Sequence, residues 1–102
     1  MDRKELFEIY NGFRGGTTEE QFYRILNYTP TEVDRGEARK VLGRTDRDNC
    51  QTSENGIETV ARIIGALGTE VPKDRLGRPD PYWLKIEGIL YSGVLVFSGK
   101  IR

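Results

Sequence analysis

Histidine is absent from this chain, and cysteine occurs once, as Cys50. The first absence removes the commonest general base and the commonest transition-metal ligand. The second excludes an internal disulfide and a cysteine metal cluster. No apolar run reaches the ~18 residues that suggest a membrane-spanning helix. The charged start, Met1-Asp2-Arg3-Lys4-Glu5, leads into no apolar stretch, so no signal peptide is expected. Net charge is missing too: Lys plus Arg and Asp plus Glu each number 16. That balance is poor for a generic nucleic-acid binder, whose affinity comes from a basic surface.

What is present suits one small folded unit. The chain has 102 residues, and Leu, Ile, Val and Phe make up about a quarter of them. Disordered chains typically fall below ~20% on that measure. The expectation is one soluble cytoplasmic domain over 1–102, with no cofactor, no metal and no membrane partner. Zero net charge hides a gradient, because residues 1–34 sum to −3 and residues 62–102 to +3.

Start and stop signals predict four helices. The first runs from Arg3 to Gly12, with Asp2 as its cap and Leu6, Ile9, Tyr10 and Phe13 at helical spacing. The second opens on the capping box Thr18-Glu19-Glu20-Gln21. Phe22, Ile25 and Leu26 form its buried stripe, and Thr29-Pro30 end it. The third spans 31–42, with Asp34 in its third helical position and Gly43 placed as a left-handed cap. The fourth is capped at Asn55 and closed by Gly68. Its stripe of Ile57, Val60, Ala61, Ile64 and Leu67, with Ile63 and Ala66 outside it, marks it as the central helix. Gly65 inside it suggests close approach by another element. Segments 44–54 and 69–81 read as polar loops.

From Tyr82 to Arg102 the period of the apolar residues changes from 3.6 to two. Ser92-Gly93 between Tyr91 and Val94 has the form of a two-residue hairpin turn. The predicted fold class is therefore α+β: four short helices and a C-terminal antiparallel β-hairpin, with a short third strand at 70–71. Leu84, Ile86, Leu90, Leu95, Phe97 and Ile101 would face the core.

The chemical motifs are weak. Gly12-Phe13-Arg14-Gly15-Gly16-Thr17-Thr18 is a glycine-rich loop before a helix, where phosphate can bind. Glu19 and Glu20 would repel an anion there, so the loop reads as a plain helix connection. Asp46-Arg47-Asp48 opens like a calcium loop, but Cys50, Gln51 and Ile57 stand where ligands, glycine and the closing Glu belong. Cys50 has no histidine to activate it. Asp74 and Asp80 stand out no more than Glu19 and Glu20 as acid–base groups. Trp83, with Tyr82, is read as anchoring a loop over the core and facing Arg102.

Two functional readings result. The leading one is a small non-enzymatic interaction module, an adaptor, inhibitor or regulator. Its partner is another protein or a second copy of itself, giving a homodimer. The turn end of the hairpin, where Ile89, Tyr91, Val94 and Val96 fail to alternate with polar residues and Lys85 lies at the rim, is either core covered by an N-terminal helix or, left exposed, the contact itself. The alternative is a winged-helix-like DNA-binding regulator. It would use helix 31–42 with the basic stripe Arg35, Arg39, Lys40, Arg44 and Arg47, and the hairpin as its wing.

Overall fold

The computed structural model describes residues 2–45 and 53–101. They form five α-helices: α1 (Arg3–Gly12), α2 (Glu19–Asn27), α3 (Glu32–Gly43), α4 (Glu54–Leu67) and α5 (Pro81–Phe97). A 3-10 turn, Gly68–Glu70, follows α4.

The first three helices begin where side chains satisfy their free N–H groups. Asp2 accepts from the Glu5 N–H on α1. Thr18 and Gln21 close a capping box on α2, and Thr31 and Asp34 close another on α3. α4 starts earlier than its sequence suggests. Ser53 caps it, accepting from the Gly56 N–H at 3.0 Å, and Asn55 lies in its first turn. Gly68 does close it, with φ at 55°. Gly43 is the last residue of α3, and Arg44 caps that helix.

α4 is the central helix and packs against α2, α3 and α5. Val60, Ala61, Ile63 and Leu67 are buried, while Ile57 and Ile64 are half-buried. Its inward arc is thus turned toward Ile63 from the expected stripe. Gly65 has the packing role its position suggested, since a Cβ there would overlap the Tyr28 ring.

The α+β class is overturned: the described residues are all-helical, and the only bridge among them is the isolated pair Lys73 and Pro79. The segment read as a hairpin is α5. Its start is specified by Asp80, whose carboxylate accepts from the Tyr82 and Trp83 N–H groups at 3.0 and 3.3 Å. Pro81 at the first helical position has the fixed φ a helix needs and no N–H to lose. The buried residues Leu84, Glu87, Gly88, Tyr91, Val94 and Leu95 recur at three and four, not at two. Ser92 and Gly93 lie inside the helix rather than in a turn. Gly88 lies against α4, where a Cβ would come 2.9 Å from Val60 Cγ2. Gly99, with φ at 80°, follows the end of α5, and Ile101 folds back so that its N–H reaches the Leu95 carbonyl.

The third strand at 70–71 is overturned as well. Glu70 ends the 3-10 turn, and Val71 is a buried core residue. Asp80 serves the start of α5, and Asp74 serves the loop itself. Asp74 accepts from the Leu76 and Arg78 N–H groups, each at 2.9 Å.

Candidate interaction face

α5 is apolar on nearly every side, yet only one side of it packs against the other described residues. At ~100° per residue, Leu84, Gly88, Tyr91 and Leu95 form the inner arc, buried against α1, α3 and α4. Tyr82, Ile86, Ile89, Val96 and Phe97 form the opposite arc, about 100° wide by the same geometry. Their exposures are 68, 60, 66, 49 and 68%. Gly93 lies on this arc too, exposed, and a Cβ there would meet nothing within 4 Å. Half-buried Lys85 stands at one edge and half-buried Leu90 at the other. No charged residue lies within the arc itself. A helix apolar all round is normally covered all round. The other exposed large apolar residues, Phe13, Val33 and Leu76, lie on other elements.

The structure divides the expected partner-binding residues. Ile89 and Val96 lie together on the outer arc, with Lys85 beside them. Tyr91 and Val94 do not join them, being 0 and 1% exposed on the inner side. The reason is the helix. In a hairpin, residues 89 and 91 of one strand and 94 and 96 of the other would cluster near the turn, whereas in α5 residue 91 points away from 89. Tyr82, Ile86 and Phe97 are the members that the hairpin register concealed; Ile86 and Phe97, expected to face the core, are 60 and 68% exposed. A helical reading started at Asp80-Pro81 would have found all three.

The inner arc holds a polar group that sequence reasoning missed. Glu87 is 4% exposed. It accepts from the Tyr10 hydroxyl and, at 2.7 Å, from the Gly16 N–H. Thr17 Oγ1 donates to the Tyr10 oxygen at 3.1 Å and lies 2.6 Å from the Tyr91 hydroxyl. Burial, then the bond to Glu87, drives the Tyr10 hydroxyl far above the usual tyrosine range, and burial does the same to Tyr91. This network accounts for the glycine-rich loop. A Cβ on Gly15 would overlap the Tyr10 ring, and one on Gly16 would lie 2.7 Å from Glu87 Oε1. The loop's close approach serves a buried carboxylate rather than a phosphate. The sequence signal was an acid set in the middle of an apolar run.

Of the basic stripe, Arg35, Lys40 and Arg44 are each paired with acids. Arg35 binds Glu58 and Glu32 at 2.9 and 2.8 Å. Arg44 turns to the 72–80 loop, donating to the Pro79 carbonyl at 3.1 Å and pairing with Asp74 at 3.8 Å. Lys40 pairs with Glu37 at 3.6 Å, and Arg39 is exposed. Arg47, the calcium-like acids Asp46 and Asp48, Cys50 and Arg102 lie outside the described residues. The wing of the winged-helix reading is gone with the hairpin. Arg62 is a cation the sequence did not single out. It is 8% exposed and donates to the Tyr28 carbonyl, and burial pushes its guanidinium below its ordinary value against the pull of Glu58. Trp83 is half-buried and packs against the core, as an anchor would, whereas Tyr82 is exposed.

Among the described residues, no three acidic or cysteine side chains converge as a metal would require. No described helix is long and apolar enough to cross a membrane. Known protein families, curated proteins and solved structures offer no match to this chain.

Proposed function

We propose that this chain is a small non-enzymatic protein-interaction module, an adaptor, inhibitor or regulator acting in the cytoplasm, that binds through the outer arc of α5. One observation carries the reading. Five large apolar side chains and a glycine share one exposed face of a helix whose other face is core. Exposed apolar patches of a few hundred Å² on a small protein commonly mark contacts with other proteins. The chemistry of the acids points the same way. Glu87 is sealed inside, while Asp34, Asp74 and Asp80 are occupied in capping and turns.

The test is a photo-crosslinking residue placed at Ile89 in the producing cell, with exposed Glu8 on α1 as the control site. Adducts of defined mass from position 89 and none from position 8 are the expected result. Equal or absent labelling at both sites would overturn the proposal.

A further inference from the structure

We infer that the occupant of this face is a second copy of the chain, joined through an antiparallel pairing of the two α5 helices. The inference rests on the interaction reading above and names its partner. The outer arc has the 4-3-4-3 spacing of a helix–helix seam, at residues 82, 86, 89, 93 and 96. That spacing is self-complementary when the chain direction is reversed about the level of Tyr91. Ile86 then faces Val96 of the second copy, and Ile89 faces Gly93 of the second copy. The bulkiest central residue thus meets the one position with no side chain. Among the described residues Gly93 has no packing role, because a Cβ there would touch nothing within 4 Å. A glycine in mid-helix is disfavoured, and close approach of a second helix would account for it.

The area also suits a dimer. At the observed exposures the five side chains offer roughly 600 Å² per copy, so two copies offer roughly 1,200 Å², the lower bound of specific, stable interfaces. No charge inside the arc opposes the pairing. A membrane surface fits less well, because interfacial helices flank their apolar face with several Lys and Arg. α5 carries one, Lys85.

Sedimentation equilibrium on the purified chain tests this, with Cys50→Ser as the background. At about 100 µM the wild type should show twice the 11.7 kDa chain mass. Ile89→Glu should retain its helical circular dichroism and sediment as a monomer, with association weakened at least tenfold. A wild type that stays monomeric overturns the pairing, and so does a dimer that survives Ile89→Glu. If that variant unfolds, a cysteine mixture decides. Ile86→Cys mixed with Val96→Cys should oxidise to the mixed dimer, and Ile86→Cys alone should not. In an antiparallel pair the two copies of residue 86 lie about 15 Å apart along the axis. Crosslinking of Ile86→Cys with itself, or no crosslinking in the mixture, overturns the antiparallel pair. A monomer that cosediments with phosphatidylcholine–phosphatidylserine vesicles overturns it in favour of a lipid surface. A monomer whose position 89 still labels a foreign protein in the cell sinks the self-pairing alone. A monomer with no label at position 89 sinks the interaction reading as well.

Discussion

The buried residue with most at stake is Glu87. A carboxylate removed from water is tolerated when donors surround it, and becomes costly when one is deleted. Tyr10 supplies one donor and the Gly16 N–H another. The Tyr10 ring also packs 4.3 Å from the Tyr91 ring and 5.2 Å from Phe22, centroid to centroid. Tyr10→Phe keeps that packing and removes only the hydroxyl. It should cost about 1–3 kcal/mol, the usual penalty for a buried acceptor left short of a partner. Urea denaturation checks it, and a loss no greater than that of an exposed substitution would mean that the network contributes nothing. At this scale the sequence was partly legible. Buried Leu6, Tyr10, Phe22, Ile25 and Leu26 follow from helical spacing alone. Glu87 and Arg62 do not: the apolar run around Glu87 was a signal, but spacing alone does not place a charged side chain inside. Their burial depends on donors and acceptors 71 and 34 residues away.

Among the elements, caps carried the information and periodicity alone did not. Asp2, Thr18 and Thr31 fixed three helix starts, since each cap acts on N–H groups two or three residues on. α5 was hidden because a segment apolar on all sides satisfies periods of 2 and 3.6 alike, so Ser92-Gly93 could pass for a turn. Asp80-Pro81 was the unused signal, a cap followed by a proline at the first position. The same element carries a stability prediction. Gly93→Ala adds a good helix former where nothing obstructs its Cβ. In dilute, monomeric protein it should stabilise the fold by roughly 1 kcal/mol, read from the denaturation midpoint. Destabilisation would show that Gly93 is needed inside the fold. At high concentration the same methyl group should weaken self-association, because it fills the gap meant for Ile89 of the second copy.

For the whole molecule, the titrating groups set a stability plateau bounded on both sides. Tyr10 and Tyr91 hold their protons in the folded state well above the tyrosine range. The unfolded chain releases them near pH 10. Their contribution is therefore complete below about pH 10 and is lost as pH rises beyond it. Three carboxylates act in the other direction. Glu70 is held low by Arg24, 2.6 Å away, and Asp74 by the Arg78 N–H. Burial pushes Asp34 up, but bonds from the Thr31 N–H and the Tyr28 hydroxyl outweigh it. Stability from these three is present above about pH 4, the unfolded carboxylate value, and fades as pH falls below it. Absorbance titration near 295 nm should show Tyr10 and Tyr91 ionising only together with loss of the circular dichroism signal. Ionisation of all five tyrosines before unfolding would contradict the buried network.

The outer arc of α5 is open within one chain and, by the proposed pairing, covered in use. Methyl-resolved NMR of the isoleucines, with a soluble paramagnetic agent, reads this without altering a residue. In dilute protein Ile86 and Ile89 should relax strongly while Ile25 and Ile63, each 0% exposed, do not. On concentration to hundreds of micromolar, Ile86 and Ile89 should become shielded. Shielding of Ile86 and Ile89 equal to that of Ile25 in dilute protein would contradict the account, because the face would then be covered by the chain itself.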